Sequence, residues 1–127
     1  MPAQDSQGRY ITPAETLGGG AAVASAARTA TANGTAFDTS GYDSITGVLT
    51  VTAASGTNEL LDVELHTTTD GTNYYEVDQF TQKSGSATAE SRAFGPLGSS
   101  SQWRWVIAGT DTPSFTFSIS ATADRDA

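Results

Sequence analysis

The side chains that come closest to a metal-ligand set are Asp62, Glu64 and His66, which alternate along the stretch LLDVELHTT. Carboxylate oxygens and imidazole nitrogens are among the donors that bind zinc in proteins. On one face of a strand, successive side chains of this set stand about 6 to 7 Å apart, so the three cannot close on one ion without help from another strand. The spacing favours a solvated polar face, and we expect no metal and no cofactor.

The sequence offers little for covalent or acid–base catalysis. A nucleophilic triad needs a base beside its nucleophile, and the single histidine, His66, has no G-x-S-x-G elbow to accompany it. The serines of SGS and GSSS are typical of turns, and GGG at 18–20 lacks the lysine of a phosphate-binding loop. With 14 acidic residues, some pair meets the carboxylate spacing of a glycosidase by chance. We therefore predict that the protein is not an enzyme and has no catalytic residues.

Aromatic side chains are the more serious candidates for a binding function, because sugars stack on exposed tryptophan and tyrosine rings. Trp103 and Trp105 share one parity of QWRWVIAG, which favours core packing for both indoles. Tyr74, whose parity opposes that of Tyr75, is the better candidate for an exposed contact. Tyr42 lies in an irregular segment and is the second candidate.

Alternation with a period of two dominates the chain after about residue 36. ITGVLTVTAA, LLDVELHTT, QWRWVIAG and SFTFSISA each place apolar residues on one parity and mostly polar residues on the other, which predicts half-buried antiparallel strands. Asp70-Gly71 predicts a hairpin that leads into TNYYEVDQF, with Tyr75 and Val77 pointing inward. The run AAVASAARTATA favours an extended segment over a helix.

Together these patterns predict an all-β protein with about seven or eight short strands and with GTDTP as the last turn. The predicted fold is a single antiparallel β-sandwich, jelly-roll-like, that spans residues 21–127. Residues 1–20, with two prolines and GGG, have no usable period and predict an extended, flexible N-terminal arm.

Composition narrows the classes of partner. A chain of 127 residues suits one domain, and the absence of cysteine excludes disulfides and thiolate metal sites. The formal net charge of −8 disfavours nucleic acid as a partner. No apolar run approaches the length of about 20 residues that spans a bilayer, and the opening MPAQDSQGRY lacks the hydrophobic region of a secretory signal. We expect a soluble acidic protein made in the cytoplasm, without a membrane partner.

Residues 24–122 resemble a family of small structural proteins of tailed phages that are likened to capsid decoration, or cement, proteins. The motifs that carry the resemblance are SAARTAT, VTAASGT, DGTN followed by aromatics, FTQ, WRW and GTxxPSFTF, in this order. The resemblance implies a protein of the virion that binds the major capsid protein on the outer surface of the assembled head, as a homotrimer. N-terminal arms would reach neighbouring subunits, and the bound protein would stabilise the head against internal DNA pressure.

We therefore predict that the functional residues bind a partner and do not form a reaction centre. Within the arm we expect Arg9, Tyr10 and Ile11 to bind the capsid. The alternative function is a carbohydrate-binding or host-recognition module of a phage tail fibre, and a tail-tube or head-completion protein is a third. The outward hydroxyls of SFTFSISA suit either a solvated face or a trimer interface, and parity does not distinguish these.

Overall fold

The computed structural model describes residues 15–85 and 87–124, so the predicted arm contacts Arg9, Tyr10 and Ile11 lie outside the described residues. Every strand of the described chain belongs to a single antiparallel sheet, and these residues contain no α-helix. The prediction of an all-β antiparallel protein is confirmed. Among the described residues no helix is long and apolar enough to cross a membrane.

Two long neighbouring strands form the centre of the sheet. In chain order the strands are β1 (Glu15–Thr16), β2 (Val23–Arg28), β3 (Ala32–Asn33), β4 (Phe37–Asp38), β5 (Ser44–Thr68), β6 (Tyr75–Gln79), β7 (Thr88–Phe94) and β8 (Ser100–Asp124), with a 3₁₀ turn at Gly19–Ala21. β5 and β8 pair along almost their whole lengths. β7 pairs with the first half of β5, and β6 pairs with its second half. β4 and β3 pair with the first half of β8, and β2 and β1 pair with its second half.

The prediction of uniformly short strands is wrong for β5 and β8, which are 25 residues each. The pairing of β5 with β8 shifts register three times between Val51 and Leu60, and Asp111 and Thr112 in GTDTP have positive φ. Such bulges bend a strand without ending its pairing. GTDTP is therefore a bend inside β8 and not the predicted turn.

The bend divides the sheet into two halves whose inner sides touch. We call them the β7 half (44–55 of β5, 114–124 of β8, with β1, β2 and β7) and the β6 half (57–68 of β5, 100–110 of β8, with β3, β4 and β6). The ring centroids of Trp105 in the β6 half and Phe117 in the β7 half are 5.6 Å apart. A Cβ atom on Gly47 of the β7 half would lie 2.9 Å from the ring of Trp103. The hydrophobic core thus lies between the two halves.

The predicted inward parity is confirmed along the central strands. The buried residues include Leu61, Val63, Leu65, Trp103, Trp105, Phe115, Phe117 and Ile119. In β6 the prediction is wrong for Tyr75, which is 50% exposed. The register of β5 with β6 shifts between Leu65 and His66, so that Val77 is the extra residue and alternation does not carry through it to Tyr75.

Within the run AAVASAARTATA, β2 is extended as predicted, and it pairs with β8. Glu15 and Thr16 pair with Ala123 and Thr122, and the amide of Leu17 donates to the carbonyl of Ala121 at 2.9 Å. The described end of the predicted arm, residues 15–20, is therefore attached to the sheet at β1. Residues 1–14 lie outside the described chain.

The predicted hairpin at Asp70-Gly71 is confirmed by the antiparallel pairing of β5 with β6. Gly71 has φ of 80°, a backbone conformation that favours glycine. The carboxylate of Asp70 accepts hydrogen bonds from the amides of Asn73 and Thr72 and from the hydroxyl of Thr68. These bonds hold the pKa of Asp70 well below its usual range.

A glycine at the bend of β5 permits a close backbone approach. Gly56 has φ of 112°, and a Cβ atom there would lie 2.8 Å from the Cα atom of Pro113 in β8. We expect Gly56→Ala to lower the free energy of unfolding by about 1 to 2 kcal/mol more than Gly71→Ala, measured by urea denaturation. Gly71 also has positive φ, but a Cβ atom there meets nothing within 4 Å, so it controls for backbone strain alone. Equal destabilisation by the two variants would contradict the close approach.

Candidate functional site

On the outer side of the β7 half, nine residues of three strands form a continuous face in which no residue is charged, and the next row, where Asp124 lies opposite Ser44, ends it. Three cross-strand rows form it: Ala93, Thr46 and Thr122; Ser91, Val48 and Ser120; Ala89, Thr50 and Ser118, each in the order β7, β5, β8. We call these nine residues the hydroxyl face. The formal net charge of the chain is −8, so an uncharged surface that crosses three strands is distinctive.

Local sequence explains how the hydroxyl face is built. In GVLTV the side chains of Leu49 and Val51 are buried, which leaves Val48 and Thr50 on the outer side, where both are half-buried by their neighbours. Threonine and valine suit the pleated surface of a sheet and pair well across strands. A shallow, mostly apolar hollow lies at one corner of the face, between Thr50 and Ala89. The face is thus a fixed surface on the two central strands and β7.

The N-terminal chain joins the hydroxyl face at its border. Thr16 of β1 lies opposite Thr122, so its exposed side chain extends the row that Thr46 and Thr122 share. Residues 1–14 are bonded to the described chain at Glu15, the residue before Thr16. The predicted arm is therefore joined to the molecule beside this face.

The outer side of the β6 half is charged and holds a compact polar cluster. His66 Nε2 lies 2.8 Å from Glu64 Oε1, and Glu76 of β6 lies directly opposite His66. One potential ligand atom each from Glu64, His66 and Glu76 all lie within 4.8 Å of one another. The carboxylate of Asp62, the third member of the predicted set, instead accepts a hydrogen bond from Gln82 at 3.1 Å.

The structure therefore brings together two of the three residues considered from the sequence and adds Glu76. The sequence indicated that a second strand would be needed, and the Asp70-Gly71 hairpin is what supplies it. Partial burial, followed by the charge of Glu64, raises the pKa of Glu76, while His66 acts in the opposite direction. The carboxylate of Glu64 is close enough to disfavour the ionisation of Glu76.

A second charged group closes the edge of the core between β6 and β7. The Lys83 ammonium contacts Glu90 Oε1 at 2.5 Å, and Arg92 contacts Asp78 Oδ2 at 3.0 Å and Glu90 Oε2 at 3.4 Å. Burial alone would raise the pKa of Glu90, but the hydrogen bond and charge of Lys83, with the Thr81 amide and Arg92, hold it below its ordinary value. Charged side chains at strand edges of this kind oppose edge-to-edge aggregation.

Arg28 lies beside a hollow near β2, but its guanidinium is already engaged in the fold. It stacks over the rings of Phe117 at 4.6 Å and Trp105 at 5.0 Å. It also donates to the backbone carbonyls of Ala24, Ala26 and Phe117. This arginine attaches β2 to β8, and nothing about it indicates an anion site.

The predicted exposed tyrosines are both half-buried. The hydroxyl of Tyr74 lies 3.2 Å from Ser100 Oγ, and Tyr42 packs against the core. Tyr75 is the exposed tyrosine of the hairpin. Trp103 and Trp105 are both buried, as predicted, and the indole N–H of Trp103 donates to the carbonyl of Ala21 at 3.1 Å.

No family model matches the chain, and a search of curated proteins finds no match. The family resemblance of the sequence motifs stays a prediction.

Proposed function

We propose that this protein is a phage capsid decoration protein, which binds the major capsid protein on the outer surface of the assembled head. The observation that carries the proposal is the hydroxyl face, an uncharged, fixed surface on a chain of formal net charge −8. The order of sequence motifs that resembles cement proteins supports it. The protein would be made in the host cytoplasm and then become part of the virion.

The lack of charge on the hydroxyl face suits a docking surface. The centres of protein interfaces are depleted of charged residues, because burying an unpaired charge is far more costly than burying a hydroxyl that finds a partner. Each threonine or serine hydroxyl can donate and accept, so it can bond to backbone groups of either polarity on the capsid. Because the face lies on central strands, little conformational entropy is lost when it docks.

We infer that the single antiparallel sheet folds into a jelly-roll-like β-sandwich. Its two layers are the β7 half and the β6 half. The contact of Trp105 with Phe117 across the core supports this inference. In such an arrangement the hydroxyl face and the charged face lie on opposite outer sides. The hydroxyl face would lie against the capsid, and the charged outer side of the β6 half would face solvent.

The N-terminal arm would extend the same docking surface, since residues 1–14 are joined beside Thr16 at the border of the face. We propose that Arg9, Tyr10 and Ile11 contact a neighbouring capsid subunit. A homotrimer would add avidity, because the second and third protomers meet their sites at high effective concentration. Binding only to the assembled head stabilises that state by mass action.

The carbohydrate-binding alternative is less well supported. A sugar platform built on Trp103 or Trp105 would require an exposed indole, and these two residues are 0% and 8% exposed. Their rings pack against Phe80, Phe94 and Phe117 inside the core. The decoration function does not need these rings at the surface.

A charge placed on the hydroxyl face tests the proposal. We expect Ser120→Lys to weaken binding to undecorated heads by about 10- to 100-fold, because the ammonium group would be desolvated without a partner. Ser120 is exposed, so the fold should tolerate the change. The measurement is co-sedimentation with heads over a range of protein concentration, with light scattering to record the oligomeric state.

Gln79→Lys is the matched control, since it adds the same charge to an exposed position on β6, away from the hydroxyl face. Deletion of residues 1–14 tests the arm in the same assay. Loss of the trimer by Ser120→Lys would assign the face to the contact between copies of the chain and not to the capsid. Full capsid binding by Ser120→Lys would overturn the docking face, and no binding by the wild-type protein would overturn the decoration function.

A further inference from the structure

We propose that Glu64, His66 and Glu76 form a zinc-binding site that links β6 to the central strand β5. The proposal does not depend on the function proposed above. The site lies on the outer side of the β6 half, which is charged, whereas the hydroxyl face is uncharged.

The positions of the three side chains fit one small cation. Glu64 and His66 are two residues apart on β5 and share a face, and Glu76 lies across from His66 on β6. Their potential ligand atoms lie within 4.8 Å of one another, with His66 Nε2 and Glu64 Oε1 at 2.8 Å. Ligand atoms bound to zinc lie about 2.0 to 2.2 Å from the ion. Small side-chain rotations therefore suffice to bring all three donors onto one ion.

The donor set selects zinc over the abundant hard cations. Calcium and magnesium take oxygen ligands in larger numbers, whereas imidazole nitrogen favours zinc and its transition-metal neighbours. Three protein donors also match the zinc sites that leave a fourth position open to water or to another ligand. The chain has no cysteine, so no thiolate competes for the metal.

The charge around the cluster favours a bound cation. The carboxylate oxygens of Glu64 and Glu76 lie within 4.8 Å of each other, whereas the charge of the neighbouring Asp78 is paired with Arg92 at 3.0 Å. Arg104 lies opposite Glu64 on β8, but its guanidinium donates to Asn33 Oδ1 at 2.9 Å. A divalent ion would remove the repulsion between the carboxylates and connect the two strands through side chains as well as through the backbone.

Zinc titration of the tag-free, full-length protein tests the site directly. His66 is the single histidine, so its imidazole gives one set of NMR signals. We expect Zn²⁺ to shift or broaden these signals at one equivalent, and we expect calorimetry to show one site. Glu76→Gln should weaken zinc binding by at least about 10- to 100-fold. Loss of a residue that only supports a metal ligand weakens metal binding by this factor, and loss of a ligand itself should weaken it at least as much. Zinc should also raise the thermal midpoint of the wild type more than that of Glu76→Gln.

Asp62→Asn is the matched control, because it removes a carboxylate from the same strand face without touching the cluster. We expect this variant to bind zinc like the wild type. Equal loss of affinity in Asp62→Asn and Glu76→Gln would show diffuse binding to an acidic surface and overturn the site. Unchanged His66 signals at one equivalent of Zn²⁺, or competition by equal concentrations of Mg²⁺ or Ca²⁺, would also overturn it.

Discussion

Replacing Trp103 by alanine is expected to lower the free energy of unfolding by about 3 to 5 kcal/mol. The indole is completely buried and packs against Phe80 and Phe94, with ring centroids 5.8 and 5.3 Å away. It also contacts the position of Gly47 in the β7 half. Removing it leaves a cavity where the two halves meet. Urea denaturation followed by circular dichroism measures the change.

Trp103→Phe separates the packing of the ring from its hydrogen bond. The phenyl ring fills much of the space, but the carbonyl of Ala21 loses its indole donor. We expect a loss of about 1 to 3 kcal/mol for this variant. If Trp103→Ala were as stable as Trp103→Phe, the ring would not hold the two halves together, and the described core would be wrong at this point.

The burial pattern of the central strands could be predicted from the sequence because it depends on local alternation. In SFTFSISA each side chain's face follows from its position in the strand, and Phe115, Phe117 and Ile119 are buried as predicted. The length of the strands could not be predicted in this way. Glycine and positive φ at GTDTP mark a turn in most contexts, whereas here the neighbouring strand β5 is bent at the same level and keeps its pairing.

The tyrosines of the hairpin show the limit of parity more sharply. Counting back from Val77 assigns Tyr75 to the interior, but the register shift opposite Leu65 and His66 breaks the count. The result is that Tyr75 is exposed and the hydroxyl of Tyr74 bonds to Ser100. A bulge is set by the partner strand, so its position cannot be read from one strand alone.

The two candidate surfaces were visible in the sequence only as fragments. Alternation shows that the hydroxyls of SFTFSISA and the threonines of ITGVLTVT point outward. It does not show that Thr46 lies opposite Thr122 or that Val48 lies opposite Ser120. The local period likewise does not place Glu76 beside Glu64 and His66. Both surfaces arise from pairing between distant segments, which the local period does not specify.

The neutral and the charged surfaces divide the molecule in a way that agrees with the proposed function. Binding to a head surface requires one side that can be desolvated, and the hydroxyl face satisfies this requirement. Two charged groups lie elsewhere: Glu64, His66 and Glu76 on the outer side of the β6 half, and Lys83, Glu90 and Arg92 at the edge between β6 and β7. Stability and binding are therefore expected to respond to different substitutions.

Glu90→Gln is expected to lower the free energy of unfolding by about 2 to 3 kcal/mol at pH 7, because Lys83 would keep a nearly buried charge without its carboxylate partner. The side chains of Lys83 and Glu90 are 10% and 18% exposed, so solvent replaces little of the lost contact. Glu59→Gln is the control, since it makes the same chemical change at a position on β5 outside this ion-pair network.

The dependence on pH follows from the lowered pKa of Glu90 in the folded protein. A carboxyl group of this kind contributes its stability above the pKa of the unfolded chain and loses it as the pH falls through the pKa of the folded state. The difference between wild type and Glu90→Gln should therefore be full at pH 7 and shrink as the pH is lowered below about 4. Urea denaturation at several pH values measures it. A difference that stayed constant from pH 7 to acid would show that packing, and not the ion pair with Lys83, sets the contribution of Glu90.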